Sequence, residues 1–344
     1  MKSEIITLLR QRRDYVSGQE LSERFGVSRT AVWKAVEQLK KDGYDIEAVK
    51  NRGYLLKEEG APGVFGYTEI RSRIKTKWAG QTLYYFDETD STNIQVKRLA
   101  EENAPEGTIV IADKQTAGRG RRGRAWESPA GANLYFSLLL RPRIAPDKAS
   151  MVTLVMALSV AQGIRKIMEA PESPVAETKR MGLERKIGIK WPNDIVIDGR
   201  KVCGILTEMS LSLEMDSIQY VVSGVGINVH RQAFAETLQG HATALEEFGH
   251  TISRSELLNA ILEQFESCYE KFLAEGSLAP IREEYNAILV NRDQEVRVLD
   301  PKGEFDGIAR GIRDTGELIV ELPSGEQKEI YAGEVSVRGI YGYV

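Results

Sequence analysis

Three glycines are interleaved with four arginines in Gln115-Thr-Ala-Gly-Arg-Gly-Arg-Arg-Gly-Arg-Ala-Trp126, between two strand-like segments, and no other stretch so restricts what this chain can fold into. Gly118, Gly120 and Gly123 remove side-chain bulk and tolerate positive φ, so the backbone can approach a ligand closely. Arg119, Arg121, Arg122 and Arg124 supply planar, permanently charged donor forks suited to phosphate or carboxylate. Without a ligand such a segment repels itself, which predicts a mobile loop that orders around a negative charge and excludes water. A solvated basic turn or a nucleic-acid contact is the alternative from the loop alone. The glycine spacing also matches a dinucleotide-binding turn, but no helix can open at Gly123: Trp126-Glu-Ser-Pro129 and a second strand, 133 to 140, follow. A Walker A loop fails because no Gly-Lys-Ser/Thr follows.

With 344 residues, 42% of them apolar, the chain can form two or three domains. No apolar run approaches bilayer length and no secretory signal opens the chain, so a cytoplasmic location without membrane attachment is expected. Cys203 and Cys268 are far apart with no CxxC, which argues against a disulfide framework or a zinc site. His230, His241 and His250 form no motif, and no metal ligands are assigned from the protein.

Residues 1 to 57 hold 12 basic and 8 acidic side chains, whereas the whole chain carries a net charge of −4, so a locally basic segment precedes an acidic remainder. That asymmetry suits a small nucleic-acid-binding module. Ile5, Ile6, Leu8 and Leu9 predict a first helix, Leu21 and Phe25 a second, and Gly26-Val27 a turn. Ser28 caps a third helix whose buried stripe is Ala31, Val32, Ala35, Val36 and Leu39. Arg29, Thr30, Trp33 and Lys34 on its other face are the candidates for the major groove. Tyr44 to Val49 and Tyr54 to Leu56 read as a hairpin whose tip presents Lys50 and Arg52 to phosphate or the minor groove. Together these make a winged helix-turn-helix over 1–60. A single unit makes a small interface, so a palindromic site and a dimer are expected.

Farther along lie Asp87-Glu-Thr-Asp-Ser-Thr-Asn93, the arginine loop, Lys190-Trp-Pro-Asn-Asp194, Gly224-Val-Gly-Ile-Asn228 and Gly333-Glu-Val-Ser-Val-Arg338. In order, spacing and wording these resemble the biotin protein ligase family, and the amino-terminal winged helix resembles that of its bifunctional members, which also repress the biotin operon. The resemblance implies an α+β multidomain chain. A central ligase domain over 64–285 would carry a mixed sheet of class II synthetase-like form, and 290–344 an SH3-like β-barrel. It implies synthesis of biotinyl-5′-AMP from biotin and ATP with Mg2+, then transfer to a lysine of a biotin carboxyl carrier protein, the acetyl-CoA carboxylase subunit. It also implies operator DNA and homodimerisation on ligand binding.

Carried onto this sequence, the biotin-binding residues are Ser91, Thr92, Asn93, Gln115, Arg119, Gly120, Arg121 and Lys190, with Lys190, Arg119 and Arg121 catalytic. A neutral ureido ring has two N–H donors and one carbonyl, which the Ser-Thr-Asn turn and Gln115 can satisfy. Lys190 and the arginines would offset the repulsion between carboxylate and triphosphate. Arg124, Trp126, Asn193, Lys201, Asn228 and Arg338 are nucleotide-side candidates; Trp191 and Pro192 would fix strand geometry, and Asp194 would orient Lys190 or its strand. The loop and an exposed strand near Ile195 to Val202 would form the dimer surface.

Alternating patterns predict strands at 82–86, 108–112, 133–140, 187–197, 202–210 and 218–227, and helices at 91–103, 147–169 and 253–275. Short strands at 296–299, 305–312, 318–322 and 328–331 follow, divided by Gly, Pro and Asp turns. Residues 170 to 186, proline-bearing and charged, lengthen the approach to Lys190 as a surface excursion. A lipoate ligase and a non-catalytic biotin-sensing transcription factor remain the rival readings.

Overall fold

The computed structural model describes residues 1–57, 63–169, 186–212, 217–249, 252–300, 303–332 and 336–339. The linker near Glu58 and nearly all of the charged excursion at 170 to 186 lie outside the described residues. Contacts divide the chain into two units, Met1–Lys75 with Ser253–Asn259, and Thr76–Ile252 with Ala260–Val344.

In the first unit, helix α1 (Lys2–Arg12) buries Ile5, Ile6, Leu8 and Leu9, and α2 (Gly18–Phe25) is capped by Ser17, whose Oγ accepts from Glu20 N. Helix α3 (Arg29–Lys41) begins where Ser28 Oγ accepts from Ala31 N at 3.2 Å, the expected N-cap. Its Val32, Ala35, Val36 and Leu39 join the α1 residues in one apolar core. Strands β1 (Ile46–Val49) and β2 (Gly53–Leu56) form the predicted antiparallel hairpin. Gly53 is required there, because a Cβ would lie 2.1 Å from Val16 O. Helix α4 (Tyr67–Arg73) packs on α1 in this same unit.

Glu69 of α4 is the electrostatic centre of the unit, with 3% of its surface exposed. It accepts two hydrogen bonds from the Arg10 guanidinium at 3.0 and 3.1 Å, one from Arg73 Nε at 2.8 Å and one from Tyr44 Oη at 3.0 Å. Burial alone would raise its pKa, but Arg10, Arg73 and the Tyr44 hydroxyl hold it below the ordinary carboxylate value. A buried carboxylate with this many donors is compensated, so removing one partner costs more than forming the pair contributes.

The second unit is built on a seven-stranded mixed sheet. Its strands are β3 (Leu83–Thr89), β4 (Ile109–Gln115), β5 (Asn133–Leu140), β6 (Ile187–Lys190), β7 (Asp194–Ile197), β8 (Arg200–Ser212) and β9 (Ser217–Asn228). The order is β3-β4-β5-β9-β8-β7-β6. Only β3 and β4 are parallel, joined through helix α5 (Thr92–Glu101) as a βαβ crossover. Every residue of β5 is buried, as befits a central strand covered on both faces. Helix α6 (Met151–Met168) packs on β6, β7, β8 and β9. Contrary to expectation, Pro146–Met168 is long and apolar enough by composition to cross a membrane; 72% of its most apolar window is buried, as in a core helix.

The expected single strand over 187–197 is two strands. Pro192, with no N–H for a ladder, sits at a reversal, and β6 and β7 pair antiparallel with Lys190 opposite Asp194. Nor is 195 to 202 an exposed strand. Ile195, Val196, Ile197 and Val202 are fully buried, and β7 lies between β6 and β8.

Helix α7 (Arg254–Glu275) follows, then α8 (Ala279–Ala287), absent from the sequence expectations. Strands β10 (Glu295–Leu299), β11 (Phe305–Ile312), β12 (Leu318–Glu321), β13 (Gln327–Ile330) and β14 (Ser336–Gly339) close the chain. They form an all-antiparallel sheet of order β13-β12-β11-β10-β14.

Candidate active site

One cavity of about 750 Å³ in the second unit gathers residues that the sequence scatters over more than a hundred positions. Ser91, Thr92 and Asn93 enter it from the start of α5, Gln115 from the end of β4, and Lys190 from the end of β6. Arg119, Gly120, Arg121, Arg122, Arg124 and Trp126 come from the loop after β4, and Asn193, Lys201 and Asn228 from the β6–β7 turn, β8 and β9. Of the predicted ligand residues only Arg338 is not placed there: it pairs through its backbone with Arg297, its side chain lies outside the described residues, and its neighbour Val337 lines the cavity.

The arginine loop is held by its own backbone. Gly120 N donates to Arg124 O at 2.7 Å, and Trp126 N to Gly118 O at 2.9 Å. The glycines serve different needs. Gly123 takes a positive φ of 71°, whereas Gly118 is a close approach, where a Cβ would meet Trp126 O at 2.4 Å. Arg122, not a glycine, holds the other left-handed position, with φ 57°. Arg121 Nη1 donates to Asn193 Oδ1 at 2.9 Å and its Nη2 to Ala332 O, tying the loop to the β6–β7 turn and the carboxy-terminal segment. Burial, above all, and the neighbouring Arg122 and Arg124 lower the Arg121 pKa against the pull of Asp194.

Lys190 is only 6% exposed. Its strand is fixed from the far side: Ile189 N donates to Ile288 O at 2.8 Å, Val290 N to Ile189 O at 2.9 Å, and Trp191 N to Asn291 Oδ1 at 2.9 Å. The Trp191 indole is buried and donates to Gly316 O. Asp194, expected to orient Lys190 or its strand, stands opposite Lys190 in the β6–β7 ladder and pairs with Lys201 Nζ at 2.6 Å.

In the same cavity the Trp126 indole lies flush against β9. A Cβ at Gly226 would sit 2.6 Å from its Nε1, and one at Gly204 would sit 3.0 Å from its ring. Lys201 Nζ lies 5.4 Å from the ring centroid, within cation–π range. Asn228 donates to Thr243 O and accepts from Gln232, so it supports the wall as well as lining it. No sequence motif marks Gln232, Ala233, Phe234 or His241, which complete the rim. They sit in irregular chain with one short 3-10 turn, and that has no periodicity to detect. Among the described residues no three His, Cys, Asp or Glu side chains gather to hold a metal. Burial raises the Cys203 thiol pKa strongly, which keeps it unreactive.

In the first unit, Arg29, Thr30, Trp33 and Lys34 project from the start of α3, with Trp33 53% exposed. Lys50 and Arg52 project from the hairpin tip, where the Arg52 guanidinium stacks 4.1 Å from the Tyr15 ring centroid.

A mixed-sheet unit with an arginine-closed cavity and a buried lysine, in a chain that also carries a winged helix-turn-helix, defines a ligand-activating enzyme joined to a DNA-binding module. Three family models match: an HTH domain over residues 2–55, the biotin/lipoate A/B protein ligase family over 85–228, and the biotin protein ligase C terminal domain over 293–338. The chain is 39% identical over 341 residues to the bifunctional ligase/repressor BirA of Bacillus subtilis, covering 98% of each, and 32% identical to that of Escherichia coli, covering 94% of each. A biotin protein ligase from Aquifex aeolicus, solved with biotin and ATP, superposes with a TM-score of 0.61 at 32% identity, covering 75% of this chain and 99% of that one. The chain belongs to the biotin protein ligase family, and its likeness to the bifunctional ligase/repressors runs nearly from end to end.

Proposed function

We propose that this protein joins biotin to ATP, giving biotinyl-5′-AMP and pyrophosphate, and passes biotin to a lysine of a biotin carboxyl carrier protein. A carboxylate oxygen of biotin attacks the α-phosphorus and pyrophosphate leaves. The carrier amine then attacks the acyl carbon, forming an amide, losing its proton and releasing AMP. The observation that carries this reading is the convergence of Lys190, Arg121 and the Ser91-Thr92-Asn93 turn on one cavity. Two anions must meet there, and a buried ammonium beside guanidinium forks lowers the barrier by stabilising the charge that develops. Ser91, Thr92, Asn93, Gln115, Arg119, Gly120, Arg121 and Lys190 bind biotin, with Lys190, Arg119 and Arg121 as catalytic residues. Arg124, Trp126, Asn193, Lys201, Asn228 and Arg338 take the nucleotide side.

Mg2+ enters with the triphosphate. Asp194 and Glu127 are the carboxylates lining the cavity, and Asp194 is engaged by Lys201, so the donor set suits an ion coordinated chiefly by phosphate and water. The chain is read as a winged helix over 1–60, a ligase domain of class II synthetase-like form over 64–285 and an SH3-like barrel over 290–344. The all-antiparallel order of β10 to β14 supports the last. Two buried free cysteines suit the reduced cytoplasm.

The protein is also a repressor whose corepressor is the adenylate. Ordering the arginine loop around the adenylate favours a homodimer, which brings two winged helices onto a palindromic operator. Ser28, Arg29, Thr30, Trp33, Lys34, Lys50 and Arg52 form the DNA-facing set.

Pyrophosphate release, assayed with biotin and with lipoate, tests the chemistry. Release with biotin alone is expected, and Lys190→Ala should slow it by about 10²–10³-fold. Release with lipoate instead, or with neither, would remove the proposal.

A further inference from the structure

The cavity wall carrying Thr92 and Asn93 is backed by Lys97, Ser137 and Glu208, which do not line the cavity. Asn93 Nδ2 donates to Glu208 Oε2 at 2.7 Å and to Leu206 O at 3.3 Å. Both partners can only accept, which orients the amide: its Oδ1 faces the other way, towards Ser137. The amide lies flush against β9, where a Cβ at Gly224 would lie 2.0 Å from Oδ1. Glu208 is shared with Lys97, whose Nζ donates to Oε1 at 2.6 Å. Burial raises the Glu208 pKa, but the bonds from Lys97 and Asn93 more than offset it, keeping the group an acceptor at neutral pH.

Protons can then be followed residue by residue. Ser137 is fully buried and its hydroxyl has one proton, which lies between Asn93 Oδ1 at 2.6 Å and Thr92 Oγ1 at 2.7 Å. The Thr92 hydroxyl donates to Gln115 Oε1 at 3.1 Å, and that oxygen also accepts from Thr92 N at 2.9 Å. Both hydroxyl protons are committed inside the wall. Thr92 Oγ1 therefore meets the cavity with a lone pair, because its own proton goes to Gln115 and Asn93 Oδ1 shares the Ser137 proton with it.

We infer that Glu208, through Asn93 and Ser137, is a positioning residue that sets Thr92 Oγ1 as a hydrogen-bond acceptor and so selects a ligand ring bearing N–H donors. A cyclic urea satisfies such a wall and a dithiolane does not. This rests on the biotin reading above and adds the group that enforces it.

The test measures, by titration calorimetry on the full chain, the affinity for biotin and for a cyclic carbamate analogue in which one ureido N–H is replaced by oxygen, the two analogue regioisomers being tried separately. Wild type should prefer biotin over at least one regioisomer by about tenfold or more, the worth of one such bond. In Glu208→Gln, Lys97 claims the new amide oxygen and leaves the amide nitrogen facing Asn93, which favours turning the Asn93 amide and moves the Ser137 proton onto Thr92. The preference should collapse to about threefold or less, a smaller differential than one bond gives. In the double variant Lys97→Glu/Glu208→Gln, the carboxylate at 97 takes the amide nitrogen, the oxygen faces Asn93 again and the preference should return. A packing role alone would not produce that rescue. Glu208→Ala, which removes the acceptor without adding a donor, should also lose the preference and serves if Glu208→Gln does not fold. A folded Glu208→Gln or Glu208→Ala that keeps the wild-type preference overturns the inference while leaving the biotin reading intact. A wild type that binds no biotin sinks both.

Discussion

At the scale of single residues, the site depends on positions where a side chain must be absent. Gly224 leaves room for the Asn93 amide and Gly226 for the Trp126 indole. Adding one methyl at the second should force the indole away from β9, an overpacking cost of about 1–3 kcal/mol. Gly226→Ala is accordingly expected to weaken ATP use by about tenfold, while biotin binding in the absence of ATP changes little; equal ATP dependence in steady-state kinetics would show that Trp126 does not border the nucleotide. Lys190, Gln115 and the Ser91-Thr92-Asn93 turn could be singled out in the sequence because they stand in short motifs that resemble those of the biotin protein ligases, and they line one cavity. Glu208 and Ser137 could not. Their importance arises from proton bookkeeping across β5, β8 and α5, and neither has a neighbour in sequence that announces it.

Secondary-structure elements that advertise themselves by periodicity were the legible ones. The buried stripe of α3, except for the half-buried Ala31, and the Ser28 cap follow from spacing alone, and they leave Arg29, Thr30, Trp33 and Lys34 on the opposite face. If the hairpin tip tracks phosphate, Lys50→Ala should reduce the slope of log affinity against log salt by about 0.9 while leaving base preference intact. The same operator titration should tighten markedly when biotin and ATP are added together; identical binding with and without them would remove the corepressor role. Illegible elements have local causes. The stretch 187–197 reads as one apolar strand because all but the turn is strand-like, yet Pro192 cannot extend a ladder and the chain folds back. Helix α8 is short, carries Pro280 in its first turn, and buries only Ile281 and Tyr285, too few apolar positions to register.

At the scale of the whole molecule, two units are encoded in one chain, and the first recruits Ser253–Asn259 from far along the sequence, a partnership no local pattern predicts. Its core charge gives a pH signature. The Glu69 pKa is lowered in the folded state, so the stability it contributes is present above about pH 4.5 and is lost as pH falls through the folded value. Wild type should therefore melt progressively earlier on acidification below that point, and Glu69→Gln, less stable at neutral pH, should show a flatter profile by differential scanning calorimetry. Coincident profiles would mean that Glu69 is no more stabilised folded than unfolded. The same carboxylate bears on protein engineering. Excising the operator-reading segment to obtain a stand-alone biotinylation reagent would strip Arg10 and Tyr44 from Glu69 and leave Arg73 beside it on newly wetted surface. A clean cut must extend past α4 or replace its acidic residue, because deleting one ability of this chain otherwise leaves a scar in what remains.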